Sequence, residues 1–348
     1  MTDQDRPEAG THMSAEIAEQ PSRWLDLLAH QQHNIICAAE LLRGVDPQLL
    51  VFAARGSSDH AAMYGQYLAH NLLNIPAMLS TPSTVTAFGT KLKYPTSVMI
   101  AVSQSGESPD LLDNVRAAQH NGVPIIALTN NEGSALAGLA DIHVCLTAGP
   151  ELSVAATKTY TAELLALYMV LSLAAGGTWA ETVGKAEAAA EAAARVIDET
   201  HTFGGRLADT LAGADRILVV GRGYSMSTAK EGALKLMETN AIAASGWSAA
   251  DATHGPMGQV VPGTPVIALT ASPGGRESVQ AFVEASRALG GTIIELGLPD
   301  GAEPQFIDQA LIPLIEIIPL QQLALNLALG RGIDPDKPAG LKKVTKTV

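Results

Sequence analysis

An internal repeat constrains this chain more than any other feature. Val51-Phe52-Ala53-Ala54 is a short apolar run that ends in Arg55-Gly56-Ser57-Ser58 and passes into a helical pattern. Ile217-Leu218-Val219-Val220 runs into Gly221-Arg222-Gly223-Tyr224-Ser225, again followed by a helical pattern. An offset of 167 residues aligns Arg55 with Arg222, Gly56 with Gly223, Ser58 with Ser225 and Gly65 with Gly232. The same offset aligns residues 98–102 with 265–269, and after a slip of two residues Gly122 and Ile125 match Gly291 and Ile294. Two copies of a βαβ-rich unit explain this pattern. Continuous apolar runs at residues 124–128 and 292–296 are what strands buried on both faces of a parallel sheet require. The expected fold is α/β, with two tandem doubly wound parallel-sheet domains that take ligands at the carboxyl ends of their strands.

A chain of 348 residues exceeds one hydrophobic core. The expected organisation is an N-terminal leader and helix over 1–45, a first domain over 46–178, a linker helix over 179–206, a second domain over 207–330 and a tail over 331–348. The alanine-rich stretch 180–198 marks the linker. The tail carries Lys337, Lys342, Lys343 and Lys346, and reads either as a solvated end or as a segment folded over an anion.

Charge narrows the partners. A net charge of −13 argues against nucleic acid, which needs a basic face to displace counterions. It also gives no long-range attraction for an anion, so a phosphate site must rely on local dipoles. Cys37 and Cys145 lie in apolar surroundings without CxxC spacing and read as a reduced, buried pair. The polar start Met1-Thr2-Asp3-Gln4-Asp5-Arg6 is no signal peptide. Runs at 164–175 and 314–329 read as too short or too polar to span a bilayer, so the expectation is a cytoplasmic protein without a membrane partner.

Two clusters carry chemistry. A strand over 97–102 delivers the chain into Ser103-Gln104-Ser105-Gly106-Glu107-Ser108, followed by Pro109-Asp110. Ser108 suits an N-cap and Pro109 the first helical position, so a helix starts there with its free N–H groups facing the loop. The hydroxyls of Ser103, Ser105 and Ser108 and the amide of Gln104 can wrap a phosphate without a lysine, and Ser58 adds another hydroxyl. No GxxxxGK[ST] is present, so this is not a nucleotide P-loop. An ordinary strand-to-helix turn with polar capping is the competing reading. The second copy has Thr270-Ala271-Ser272-Pro273-Gly274-Gly275 at the same place and lacks that hydroxyl set, which favours one phosphate site per chain.

The second cluster is Glu231, Lys235 and Glu238, spaced to share one helix face, with His254 following in a loop stiffened by Gly255-Pro256. A salt-bridged surface stripe is the plain alternative, but the intervening Gly232, Ala233, Leu234, Leu236 and Met237 are small or apolar and argue for burial. The histidines show neither HxH nor HExxH spacing, so no metal site is expected, and no cofactor motif appears.

The chain resembles the sugar isomerase (SIS) family, specifically the isomerase half of glutamine–fructose-6-phosphate aminotransferases. The likeness runs from about His12 to about Thr345. It rests on Met13-x-x-Glu16-Ile17-x-Glu19-Gln20-Pro21, the serine loop, Val154-Ala155-x-Thr157-Lys158, Glu231-Gly232-Ala233-Leu234-Lys235-Leu236-x-Glu238, His254-Gly255-Pro256 and Pro338-x-x-Leu341-x-Lys343. The resemblance implies that Ser58, Ser103, Gln104, Ser105 and Ser108 bind phosphate, with Ser108 where the synthase carries threonine, and that Ser57 and Val154 are substrate-binding positions. It implies that Glu238 moves a proton between C1 and C2, that His254 opens the sugar ring from the neighbouring subunit of a homodimer, and that Lys235 and Lys343 approach the sugar.

A synthase of that family begins with a glutaminase domain bearing an N-terminal nucleophilic cysteine, and neither Cys37 nor Cys145 is terminal. The expectation is therefore the reverse chemistry, a glucosamine-6-phosphate deaminase giving fructose 6-phosphate and ammonia. A plain phosphosugar isomerase, a fructosamine-phosphate deglycase and a non-catalytic sugar-phosphate regulator stay open. The last class usually carries a DNA-reading segment, which this acidic chain does not show.

Overall fold

The computed structural model describes residues 8–298 and 307–343; Met1-Thr2-Asp3-Gln4-Asp5-Arg6 of the leader and Thr345 and Lys346 of the tail lie outside them. In chain order, α1 (Thr11–His30) and α2 (Gln32–Val45) precede the first copy. That copy comprises β1 (Leu49–Ala53), α3 (Ser57–Leu68), β2 (Ala77–Leu79), α4 (Pro82–Thr86), β3 (Ser97–Ser103), α5 (Pro109–His120), β4 (Ile125–Thr129), α6 (Ala135–Leu139), β5 (Ile142–Cys145) and α7 (Lys158–Ala174). Helix α8 (Trp179–Leu211) follows. The second copy comprises β6 (Arg216–Gly221), α9 (Ser225–Asn240), β7 (Ala243–Ser248), α10 (Ala249–Ala252), β8 (Pro265–Leu269), α11 (Arg276–Ala288), β9 (Thr292–Leu296) and α12 (Ile312–Gly330).

The described residues divide into two compact units. One comprises Ser22–Gly149 and Lys158–Ala190 and holds a five-stranded sheet of order β2-β1-β3-β4-β5. Every strand pair in it is parallel. Strands β3 and β4 are buried along their whole length, which is why they read as unbroken apolar runs. Leu111, Val115 and Ala118 of α5 pack on Val51, Met99, Ala101 and Ile125 of the sheet. A side chain on Gly65 would meet the Phe52 ring at 2.6 Å, so glycine there lets α3 lie on β1. The strand order reverses between β1 and β3, and ligands bind at such a switch point beyond the carboxyl ends of the strands.

The other unit comprises the chain up to Pro21, Pro150–Thr157 and Glu191–Lys343, and holds a four-stranded parallel sheet of order β7-β6-β8-β9. Gly232, the repeat partner of Gly65, has the same use: a Cβ there would meet Leu320 Cδ1 of α12 at 2.4 Å. Gly246 lets β7 approach α9, because a Cβ would stand 2.3 Å from the Ala229 carbonyl oxygen. The chain's two described ends meet in this unit. Asp336 accepts the backbone N–H of His12 at 3.0 Å and of Met13 at 2.8 Å, capping α1 with a residue from the tail.

Three expectations need correction. Residues 292–296 form an edge strand, β9, that is only partly buried, because β8 is its one neighbour among the described residues. The run at 314–329 was expected to be too short or too polar for a bilayer. The helical stretch Gln309–Gly330 has 22 residues and is apolar enough to cross one, yet 89% of its apolar window is buried within this protein. Cys37 is half-buried with its Sγ 3.7 Å from His33 Nε2, while Cys145 is buried, and both are free thiols.

Candidate functional site

The serine loop sits at the switch point of the five-stranded sheet. Ser103 ends β3, and α5 begins with Ser108 at the N-cap and Pro109 behind it. Ser108 makes no side-chain capping bond, so its hydroxyl is not spent on the helix. Ser103 Oγ accepts the Gly106 N–H at 3.1 Å and Ser105 Oγ accepts the Glu107 N–H at 3.3 Å. Both hydroxyls use lone pairs in these bonds and keep their protons for an acceptor. Gly106 is required by the turn: its φ is 67°, and a Cβ would stand 2.4 Å from Ser134 Oγ. The loop is pinned from its far side, since the Gln104 carbonyl accepts from Asn130 N–H at 3.1 Å and that of Gly106 from Leu136 N–H at 3.0 Å.

Ser57 opens α3 after the turn at Gly56, where φ is 58°. Ser58 is buried, and its Oγ donates to Glu163 Oε1 of α7 at 2.7 Å. The sequence reading missed Glu163, whose contact with Ser58 spans 105 residues and follows no local pattern. It also passed over the pairing of Arg55 with Asp110. Both Nε and Nη2 of Arg55 lie 2.7 Å from Asp110 Oδ2.

The acid–base cluster lies in the other unit. Lys235 is completely buried, with its Nζ 3.1 Å from Glu231 Oε1 and 2.6 Å from Glu238 Oε2. Glu231 is equally buried, whereas the Glu238 side chain keeps 23% of its surface. Burial alone would lower the Lys235 pKa, but Glu231 and Glu238 outweigh it and raise it above the ordinary lysine value. The arrangement is a buried ammonium, its charged form favoured by two carboxylates, behind a carboxylate that reaches solvent.

Lys343 and Val154 are placed by a network in the same unit. Lys343 Nζ is 2.6 Å from Glu151 Oε2, and Glu151 Oε1 accepts the Thr157 N–H at 2.9 Å. The Val154 N–H donates to the Asp336 carbonyl at 3.2 Å. Glu16 accepts the N–H groups of Leu152 and Ser153. Burial pushes the Glu16 pKa up, against those hydrogen bonds and the nearby Lys343 charge. Segment 150–157 is thus held by two buried carboxylates and the tail. His254, in the turn after α10, is exposed, and its ring makes no hydrogen bond or ion pair among the described residues.

The structure therefore joins Lys235 to Glu238 and gathers the serines at one switch point, while His254 stands apart from both clusters in its bonding. These features define a doubly wound α/β protein with a hydroxyl-rich loop at its switch point and a helix that carries a buried, ion-paired lysine. The SIS domain model matches residues 46–173 and 210–297, and the chain belongs to that family. It is 34% identical over 346 residues to the isomerizing glutamine–fructose-6-phosphate aminotransferase of Thermococcus kodakarensis; the match covers 95% of this chain and 57% of that one. The chain thus spans little over half the length of that relative. A solved structure from Silicibacter pomeroyi, provisionally named a phosphosugar isomerase, superposes with a TM-score of 0.82 at 31% identity, covering 94% of this chain and all of that one. The C-terminal domain of glucosamine-fructose-6-phosphate aminotransferase from Francisella tularensis shares the fold at 23% identity, with a TM-score of 0.85 over 97% of this chain and all of that one.

Proposed function

We propose that the chain is an aldose–ketose isomerase of phosphosugars that acts on glucosamine 6-phosphate as a deaminase, releasing fructose 6-phosphate and ammonia. One observation carries the reading: Glu238 presents a carboxylate to solvent while Lys235 behind it is buried and charged. A carboxylate held this way is suited to take a proton from carbon and return it. The name of the Thermococcus relative, an isomerizing aminotransferase of fructose 6-phosphate, supports the substrate class.

In this reading the serine loop anchors the phosphate through Ser103, Gln104, Ser105 and Ser108, with Ser57, Ser58 and Val154 lining the substrate. Anchoring one end of the sugar fixes C1 and C2 for reaction. His254 moves a proton between O1 and the ring oxygen to open the pyranose. Glu238 removes the C2 proton, giving an enolamine, and returns it to C1, which leaves an imine at C2. Water adds to the imine, and collapse of the carbinolamine expels ammonia and leaves the C2 ketone. Lys343 approaches the sugar oxygens during transfer, and Lys235 holds the Glu238 carboxylate in place. The exposure of His254 supports its serving a second copy, hence a homodimer with shared active sites.

The deciding experiment measures ammonia and ketose released from glucosamine, galactosamine and fructosamine 6-phosphates. Ammonia with fructose 6-phosphate from glucosamine 6-phosphate is the expected result. Interconversion of aldose and ketose phosphates without ammonia would instead support the plain isomerase, which the name of the Silicibacter relative favours.

A further inference from the structure

The sequence reading gave the phosphate loop no cation, and the structure places one beside it. Arg55 follows β1 at the switch point, and its guanidinium rests on Asp110, the second residue of α5. Its Nε and Nη2 both bond Asp110 Oδ2 at 2.7 Å, while Asp110 Oδ1 accepts the Leu111 N–H at 2.9 Å. Asp110 is almost wholly buried, yet the Arg55 side chain is 43% exposed. A guanidinium carries five N–H donors, so the pairing with Asp110 leaves most of them for another acceptor.

Asp110 is nearly buried and needs a counter-charge, but an enclosed cation would meet that need as well, and the need does not explain why Arg55 stays exposed. What the pair does is fix a planar donor group at the start of the helix that opens from the serine loop. Asp110 also ceases to repel an anion there, since its charge is matched by Arg55 and one of its oxygens is used by the backbone.

The second copy provides an internal comparison. Arg222, the repeat partner of Arg55, donates from Nη1 to Ser248 Oγ at 2.9 Å. Its Cβ and Cγ occupy the space where a Cβ on Gly275 would stand, 2.3 and 2.5 Å away. Each copy thus sets an arginine against the start of the helix after its third strand. Only in the first copy is it tied to a carboxylate beside a hydroxyl-rich loop.

We infer that Arg55, oriented by Asp110, is a binding residue for the phosphate group of the substrate and selects phosphorylated sugars over neutral ones. Planar, forked donors match phosphate oxygens in a way a lysine cannot. The inference rests on the serine loop being the phosphate site.

The test compares Arg55→Gln, Arg55→Lys and Ser105→Ala in the full chain, reading KM for glucosamine 6-phosphate, the Kd for inorganic phosphate by calorimetry, and Tm. Arg55→Gln should raise KM and the phosphate Kd roughly 10–100-fold, the loss of a hydrogen bond to a charged group. The loss should fall on KM rather than kcat. Arg55→Lys, which keeps the charge and the fold, should recover only part of the affinity. A lowered Tm with phosphate Kd unchanged in both arginine variants would make the pair a structural tether and overturn the inference. If Ser105→Ala weakens phosphate while both arginine variants do not, the arginine assignment alone falls. If none of the three changes phosphate binding, the serine-loop reading falls with it.

Discussion

Ser58 donates its hydroxyl proton to Glu163 across 2.7 Å, inside the buried part of its unit. The hydroxyls of Ser103 and Ser105 instead accept backbone N–H groups and keep their protons. The serines proposed for phosphate are therefore unequal. A dianion needs donors, and Ser58 must give up its carboxylate partner before it becomes one.

This inequality separates two kinds of loss. Ser105→Ala and Ser108→Ala should raise KM for the phosphorylated sugar with Tm nearly unchanged. Ser58→Ala should lower unfolding stability by about 1–3 kcal/mol, because Glu163 loses a bond inside the protein. Urea denaturation alongside steady-state kinetics distinguishes them. A Ser58→Ala variant of full stability, with KM raised as much as in Ser105→Ala, would contradict the assignment.

Lys235 is bracketed by two carboxylates, one of them fully buried. Lys235→Met should cost about 3–5 kcal/mol, since it strands Glu231 without a counter-charge. Adding Glu231→Leu to Lys235→Met should restore much of the stability but no activity. Chemical denaturation of the single and double variants checks this.

Glu316 on α12 is a buried carboxyl whose oxygens find no hydrogen bond of good geometry. Burial raises its pKa from 4.5 to about 7, while Ser225 and Thr228 on α9 hold the rise back. Between those two values the folded chain keeps a proton that the unfolded chain has released. Stability therefore falls as pH climbs through that window, and the cost is complete above the folded pKa. Glu316→Gln should flatten the slope and add roughly 1–3 kcal/mol at pH 8. Melting curves from pH 5 to 8 would show a parallel decline in both proteins if the idea is wrong.

The shared-site proposal has its own test. Glu238→Gln and His254→Ala chains, each inactive alone, should regain part of the wild-type rate when subunits are exchanged. Confirmed exchange without recovered activity would place both residues of each site on one chain.

Much of this was legible in the sequence, for physical reasons. Parallel strands buried on both faces announce themselves as apolar runs, so β3, β4 and β8 were readable. The short strands β2 and β5 and the outer strand β7 were not, because they are brief or only partly buried and give no unbroken apolar run. The i, i+3 and i, i+4 spacing of Glu231, Lys235 and Glu238 is a local signal, and the ion pairs follow it. Glu163, Asp110 and Glu151 escaped, since each meets its partner (Ser58, Arg55 and Lys343) only through tertiary folding. No periodicity carries such information.

The cap that Asp336 places on α1 joins residues 323 positions apart. On a ribosome adding about 5–20 residues per second, the first turn of α1 waits roughly 15–65 s for its acceptor to be made. Most of the five-stranded unit is synthesised by Ala190 and can close in that interval. The opening segment of the chain must remain uncommitted until Asp336 has been made. Chains stalled before Asp336 would thus hold one finished unit and a helix whose first N–H groups lack their carboxylate, a species for chaperones and proteases to recognise.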